Sequence, residues 1–165
     1  MEKPTVYVET SVISYLTARP SRDVITAGRQ LSTVRFWDRR DEFHLVASEM
    51  VVREASRGNP ILASRRLEVL DEFELLSATD TARRLSTLFL AGAGLPEKAA
   101  EDALHIAIAA ASGIEFLVTW NFAHMANAAI RRRVEEICRD EGFDPVIICT
   151  PQELLAEDDD PWEEP

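Results

Sequence analysis

The polar residues of greatest chemical interest are three acids and one amide: Glu9, Glu54, Asp102 and Asn121. Glu9 ends the first predicted strand, and Asn121 follows a later predicted strand. Because the carboxyl ends of parallel strands lie at one edge of a sheet, both side chains are expected at the same rim. Glu54 and Asp102 fall on predicted helices next to these strands, so both can lean over that rim. We therefore expect three carboxylates to converge in one cleft.

Three carboxylates in one cleft repel one another unless a divalent cation neutralises them. Hard oxygen ligands without a thiolate favour Mg²⁺ or Mn²⁺. Mg²⁺ held in this way keeps several waters, and one of them can attack a phosphodiester. The residue types therefore predict a metal site formed by Glu9, Glu54 and Asp102, although Glu49 competes with Glu54 for its position.

Short β-branched and aromatic runs alternate with stretches of helical periodicity along the chain. Strands are predicted over residues 5–9, 43–47, 73–76, 115–119 and 146–149. Helices are predicted over residues 11–16, 24–37, 49–57, 60–70, 96–112 and 122–140, with another capped by Asp80 and a short one from Pro151. This alternation predicts an α/β fold in which helices cover both faces of a mostly parallel sheet.

The composition of the 165 residues, 46% hydrophobic and 28% charged, is that of one globular domain. The formal net charge of −11 argues against a general binder of polyanions. The acids are concentrated near the C-terminus, where residues 157–165 contain no base. We predict one domain over residues 1–151 and an acidic, disordered tail over residues 152–165.

The cysteines and the hydropathy pattern bear on the cellular compartment. Cys138 and Cys149 lack partners at the spacing of a zinc site, which favours two reduced thiols. The N-terminus does not have the pattern of a secretory leader, and no apolar run approaches the roughly 20 residues that span a bilayer. We expect a soluble cytoplasmic protein that makes no membrane contact.

Four segments together carry a resemblance to a known family. They are Tyr7-Val-Glu-Thr-Ser, Glu54, Asp102-Ala-Leu-His-Ile-Ala and Leu117-Val-Thr-Trp-Asn121. In this order and at these spacings they resemble the PIN-domain family, and within it the VapC-type toxins of bacterial toxin–antitoxin pairs. The resemblance covers about residues 4–151. It implies a three-layer α/β/α fold and an endoribonuclease that depends on Mg²⁺ or Mn²⁺.

The resemblance also implies roles for the four polar residues. Glu9 matches the first acid, for which the family usually has Asp, and Glu54 matches the helical Glu. Asp102 matches the Asp of the central helix, and Asn121 stands where many members carry a fourth acid. Since Asn121 removes a negative charge and Glu9 is longer than Asp, we expect weaker ion binding, or one ion instead of two.

Several residues near these acids are candidates for contact with RNA. They are Thr10 and Ser11, which match hydroxyl residues of the family, and Arg53, Arg57, Trp120 and His124. Arginines position a phosphate backbone, and an indole can stack on a base. Buried packing is the alternative interpretation of Trp120, and an ordinary helix surface is the alternative for His124.

Two further residues have competing interpretations. Asn121 precedes a predicted helix and is a good N-cap, so the roles of cap and ligand both remain open. His105 lies three residues after Asp102 on the same helix face. We interpret His105 as a packed histidine beside a carboxylate, with a general base as the alternative.

The resemblance implies three partners or assemblies, which are an RNA substrate, a cognate antitoxin that blocks the cleft, and a homodimer. A second hypothesis is a catalytically weakened PIN-like protein that binds RNA or a partner protein without cleavage. A third is a protein-interaction module that acts through the acidic residues 157–165.

Overall fold

A computed structural model describes residues 2–155, which contain five β-strands and eight α-helices. The strands are β1 Thr5–Val8, β2 His44–Ser48, β3 Glu74–Leu76, β4 Phe116–Val118 and β5 Ile147–Cys149. They form one sheet in the order β3-β2-β1-β4-β5, and every neighbouring pair is parallel. The expectation of a mostly parallel sheet is confirmed.

Helices cover both faces of this sheet. They are α1 Thr10–Thr17, α2 Val24–Asp38, α3 Glu49–Ala55, α4 Pro60–Leu70, α5 Asp80–Gly92, α6 Ala100–Ala111, α7 Ala128–Asp140 and α8 Pro151–Leu154. Their mutual contacts form two groups, one of α1–α4 with α8 and the other of α5–α7. The result is the three-layer α/β/α arrangement that the resemblance implies.

The two central strands are apolar because both of their faces are covered. In β1, Val6, Tyr7 and Val8 are at most 1% exposed, and in β4 Leu117 and Val118 are fully buried. These strands form the centre of a single hydrophobic core that extends into both helix layers. Because β1 and β4 are buried in this core, the polar residues that follow them are held at the carboxyl edge of the sheet.

The sheet has a topological switch point between β1 and β4. The chain leaves β1 for β2 and β3 on one side, and then crosses to β4 and β5 on the other side. In this kind of open sheet, ligands bind at such a switch point, beyond the carboxyl ends of the strands. Val8 is opposite Val118 in the register, so the residues that follow them, Glu9 and Thr119, are neighbours at this point.

The helix predicted over residues 122–140 begins later than expected. Residues 122–126 form turns, and α7 starts at Ala128. The cause is a second asparagine, because Asn127 has an extended backbone and its side chain accepts the N–H groups of Ala129 and Ile130. Local periodicity extends through both asparagines and does not show which of them caps the helix.

Two other boundaries also differ from the predictions. Thr79, not Asp80, caps α5, and its side chain accepts the N–H of Ala82. At the C-terminus, α8 extends three residues beyond the predicted start of the tail because Thr150 and Glu153 form a capping box. The rest of the predicted acidic tail, residues 156–165, lies outside the described residues.

The cysteines and the helix lengths bear on two further expectations. Cys138 and Cys149 are free and buried. Burial raises the pKa of Cys138 to about 11 and that of Cys149 to about 12, so both thiols stay protonated at neutral pH. Among residues 2–155, no helix combines the length and the apolar composition needed to cross a bilayer.

Replacing Asn127 by Ala is expected to lower the free energy of unfolding by about 1 kcal/mol, because the first turn of α7 loses its cap. Denaturant titration followed by circular dichroism measures this loss. Asn127→Ser is the matched control, since serine also caps and should retain most of the stability. Equal midpoints for Asn127→Ala and the parent protein would show that the cap does not stabilise α7.

Candidate metal centre

Glu9 is the first residue after β1, and it caps helix α1 through its own side chain. Its Oε2 accepts the backbone N–H of Ser11 at 3.1 Å and the hydroxyl of Thr119 at 2.8 Å. The Ser11 hydroxyl donates to the same oxygen. No hydrogen bond from residues 2–155 reaches Oε1, although the residue is only 6% exposed. Glu9 therefore keeps one carboxylate oxygen available.

Glu54 reaches the same place from α3. The Thr10 hydroxyl donates to its Oε2, and His105 Nε2 lies 3.1 Å from both carboxylate oxygens. Burial alone would raise the pKa of Glu54, but the hydrogen bonds from His105 and Thr10, the positive charge of His105 and that of Arg57 lower it overall. Glu54 is therefore held as a carboxylate in a partly buried position.

His105 comes from α6 and is buried beneath the two acids. Its Nδ1 lies 2.7 Å from Tyr7 Oη, which lies 2.7 Å from Ser48 Oγ. Ser48 Oγ also accepts the N–H of Val51 and so caps α3. This chain of hydrogen bonds, built on the carboxyl halves of β1 and β2, fixes the orientation of the imidazole.

The ionisation of this network follows from its surroundings. Burial lowers the pKa of His105, but the hydrogen bond with Glu54 and the charges of Glu9, Glu54 and Asp102 outweigh it and raise the pKa. Burial raises the pKa of Tyr7 far above its ordinary value, so the phenol stays neutral. Within residues 2–155, every side-chain nitrogen and oxygen atom that is itself closed off from solvent has a hydrogen-bond partner.

Glu9, Glu54 and His105 form the candidate metal centre. One ligand atom from each lies within 4.8 Å of the other two, and no other group within residues 2–155 meets this criterion. Among those residues, no arginine or lysine forms an ion pair with either carboxylate. Two carboxylates and one imidazole are donors that suit a divalent cation.

Asp102 does not belong to this innermost group, although the sequence predicts that it completes the site. Its Oδ2 pairs with His124 Nδ1 at 2.8 Å. Asp102 and His105 are three residues apart on α6, and His105 is the one that faces the two glutamates. Asp102 remains close enough for its charge to raise the pKa of His105. Glu9 and Glu54 lie together, and the third group beside them is the His105 imidazole and not the Asp102 carboxylate. The roles of Glu9, Glu54 and Asp102 as metal ligands stay predictions.

Asn121 holds a turn and does not cap α7. Its Oδ1 accepts the backbone N–H of His124 at 3.0 Å, and its carbonyl accepts those of Met125 and Ala126. This turn positions the His124 ring against Asp102. His124 is therefore part of an Asp102–His124 pair at the rim, instead of lying on a helix surface.

The predicted RNA-contacting residues have different positions. Thr10 and Ser11 lie in the site, where their hydroxyls hold the two glutamates. Arg57 is at the rim, where it forms an ion pair of 3.6 Å with Glu101. Arg53 is exposed on α3. Glu49, the competitor of Glu54, is also exposed and has no part in the group.

Trp120 does not offer a stacking surface, which corrects its prediction as an RNA contact. It is 6% exposed, and its Nε1 donates to Thr33 Oγ1 at 2.9 Å. Its ring packs edge-on against Tyr15, with the centroids 6.0 Å apart. The alternative of buried packing describes its position.

Sequence reasoning missed Tyr7, Ser48 and Thr119 and treated His105 as packing. The missed hydroxyls share one signal, which is their position near or directly after the carboxyl end of β1, β2 or β4. The signal for His105 is its spacing of three residues from Asp102. That spacing shows that the two side chains share a helix face, but it does not show which one points inward.

No protein-family model and no curated protein matches this sequence. Solved structures do resemble it. VapC20 of Mycobacterium tuberculosis, a toxin that cleaves the sarcin–ricin loop, is 17% identical, with a TM-score of 0.55 over 72% of this chain and 91% of that chain. VapBC2 of Rickettsia felis, bound to a DNA fragment from its promoter, is 13% identical, with a TM-score of 0.56 over 88% of this chain and 98% of that chain.

FitAB bound to the IR36 DNA fragment is 16% identical, with a TM-score of 0.56 over 89% of this chain and 95% of that chain. At these identities the similarity defines the fold. The three-layer arrangement with its parallel sheet is a PIN-like fold. More particularly, it is the fold of VapC-type toxins, which the residue resemblance also indicated.

Replacing Tyr7 by Phe is expected to cost about 1–3 kcal/mol of the free energy of unfolding, because His105 Nδ1 loses its buried partner. Tyr15→Phe is the matched control, since Tyr15 is less buried and Arg29 contacts its hydroxyl at 3.4 Å. Denaturant titration of both variants gives the comparison. Equal stability of the two variants would show that the Tyr7 hydroxyl does not hold the network together.

Proposed function

We propose that this protein is a metal-dependent endoribonuclease and acts as the toxin of a toxin–antitoxin pair. The observation that carries the proposal is the pairing of two carboxylates with an imidazole at the switch point of the sheet, within 4.8 Å of one another. The similarity of the fold to VapC20, a toxin that cleaves the sarcin–ricin loop, supports it. The position of the site agrees with where parallel sheets bind their ligands.

Glu9, Glu54 and His105 would hold the cation, with Glu9 Oε1 as the free donor of its carboxylate. His105 would ligate through Nε2 only after losing the proton that this nitrogen donates to Glu54, so ion binding would release a proton. A nitrogen donor favours Mn²⁺ over Mg²⁺, because affinity for imidazole rises along the transition series and Mg²⁺ prefers oxygen. When bound, such a cation acidifies water and stabilises negative charge on the phosphate. The roles of Asp102 and Asn121 as ligands remain proposals of the sequence resemblance.

The hydroxyl residues around the cluster orient its ligands. Thr10 holds Glu54, and Ser11 and Thr119 hold one oxygen of Glu9. Partners of this kind around a metal site keep the ligands in place before the ion arrives. We propose that Asp102 orients His124 through Nδ1, which leaves the Nε2–H of the protonated ring to donate a proton to the leaving oxygen of the RNA.

The arginines at the rim are proposed to position the phosphate backbone. Arg57 is the better placed, because its charge already acts on Glu54. Its ion pair with Glu101 is exposed, so a phosphate can compete for the guanidinium. Arg53, one residue before Glu54, can reach only the outer part of the cleft.

Replacing Glu54 by Gln is expected to weaken Mn²⁺ binding more than about tenfold, since even the outer partners of metal ligands contribute about 10–100-fold. Glu49→Gln, on the same helix, should bind Mn²⁺ like the parent protein. Isothermal titration calorimetry with Mn²⁺ and Mg²⁺ measures both variants. The parent protein should prefer Mn²⁺, and equal Mn²⁺ affinity of the two variants would place the ion elsewhere.

Cleavage of RNA by the full chain is expected with Mn²⁺ and is expected to stop when a chelator is added. Asp102→Asn and His124→Gln should each reduce the cleavage rate about a hundredfold, the loss typical of one transition-state contact. Gel analysis of a labelled ribosomal RNA fragment gives the rates. Cleavage that persists in the chelator, or at the parent rate in Asp102→Asn, contradicts the proposed mechanism.

A second candidate function is a PIN-like protein that binds RNA or a partner without cleaving it. Asn121 favours this candidate, because it is neutral and its Oδ1 already accepts the N–H of His124. RNA binding that persists in a chelator, together with no cleavage under any divalent cation, would identify this function.

An antitoxin partner, a homodimer and a cytoplasmic location are parts of the same proposal. The fold similarity to VapBC2 and FitAB supports a two-protein system. A short gene adjacent to the one for this chain is the natural source of the partner, and co-purification of its product would test the pairing. Interaction through the acidic tail remains a separate prediction, which deletion of residues 157–165 tests.

A further inference from the structure

Phe122 is an exposed aromatic ring four residues after the end of β4, at the carboxyl edge of the sheet where the candidate metal centre also lies. It is 43% exposed, and among the large hydrophobic residues exposed within residues 2–155 it is the one aromatic. A single exposed hydrophobic side chain is ordinary on a protein surface, so the interest of Phe122 lies in the charged and aromatic groups that contact it. Phe122, two residues after Trp120, is therefore the candidate for the base-stacking role that the sequence suggested for Trp120.

The position of Phe122 relative to the cluster follows from the hydrogen bonds of its neighbours. The backbone N–H of Trp120 donates to Ser11 Oγ at 2.9 Å, and the same hydroxyl donates to Glu9. Two residues of chain span at most about 7 Å. The Phe122 backbone thus lies within about 7 Å of the Trp120 backbone, which Ser11 connects to Glu9 by two hydrogen bonds.

Arg29 from α2 lies against the Phe122 ring. Its Cζ is 4.8 Å from the centroid of Phe122 and 6.0 Å from that of Trp120. Its NH1 lies 3.4 Å from Tyr15 Oη. Within residues 2–155 Arg29 forms no ion pair, although its charge acts on the Asp23 carboxyl. The guanidinium is held in place by aromatic groups, and its charge remains available to an anion from solution.

We propose that Phe122 and Arg29 together bind one nucleotide of a single-stranded RNA, next to the phosphate that is cut. The base stacks on Phe122, and Arg29 contacts its phosphate, as aromatic rings and arginines do in single-strand binding. This inference rests on the proposed ribonuclease function, which it deepens. A chain of net charge −11 repels RNA as a whole, so a local cation beside the site is needed to retain it.

The test is fluorescence anisotropy of labelled octaadenylate with the full chain, in a chelator that prevents cleavage. Phe122→Ala and Phe122→Leu are expected to weaken binding about tenfold, because both remove the aromatic face. Phe122→Trp should retain the affinity. Arg29→Gln should lower the slope of log affinity against log salt by about 0.7, whereas Phe122→Ala should leave that slope unchanged.

Ile147→Ala is the matched control, since Ile147 is 52% exposed on β5 at the amino end, opposite the site. It should bind RNA like the parent protein. Parent-like affinity of Phe122→Ala, or no binding of octaadenylate by the parent protein, would overturn the proposal. A change of molecular mass in solution in Phe122→Ala, with RNA affinity retained, would overturn it in favour of a protein contact.

The outcomes separate this proposal from the ribonuclease function. Phe122-dependent binding without cleavage under any divalent cation supports the nucleotide site and contradicts the nuclease. Metal-dependent cleavage that is unchanged in Phe122→Ala and Arg29→Gln supports the nuclease and contradicts the nucleotide site.

Discussion

Glu9 and Glu54 bring two carboxyl groups to within 4.8 Å of each other, one of them buried and the other partly buried. Burial and mutual repulsion both oppose the charged forms of such groups. Hydroxyl groups that donate to Glu9 Oε2 and an imidazole that contacts Glu54 offset this cost. Ser11 lies in α1, Thr119 directly follows β4 and His105 lies in α6, so these hydrogen bonds link three separate parts of the fold.

The need to offset buried charge also explains why buried polar residues such as Ser48 and Thr119 lie at the carboxyl edge of the sheet. Tyr7 and Ser48 are buried polar groups on neighbouring strands, and they are tolerated because they satisfy each other and His105. A chain of this kind is useful only if every member is present, since a half-satisfied buried network costs more than an apolar core. The cluster is therefore both a candidate centre for chemistry and a constraint on folding.

Most of the fold could be predicted from the sequence because its signals are local. Each strand is a short apolar run ended by polar residues, and each predicted strand matches an observed one to within about two residues. The helix predicted from residue 122 failed because hydrophobic spacing does not record that Asn121 closes a turn. That information lies in a side-chain hydrogen bond, which periodicity does not contain.

The candidate site was predictable in part for the same reason. Glu9 could be placed because it ends a strand, and Glu54 because its helix follows the neighbouring strand. The exchange of Asp102 for His105 depends on how α6 is rotated against the sheet, and tertiary packing sets that rotation. In the same way, the path of the chain after β4 decides that Trp120 is buried and Phe122 is exposed.

The two carboxylate oxygens of Glu9 differ in their hydrogen bonds. Oε2 begins helix α1 and is held by three donors, whereas Oε1 receives none from the described residues. An incoming cation can use Oε1 without breaking any bond that α1 needs. Loading the site should therefore require little reorganisation of Glu9.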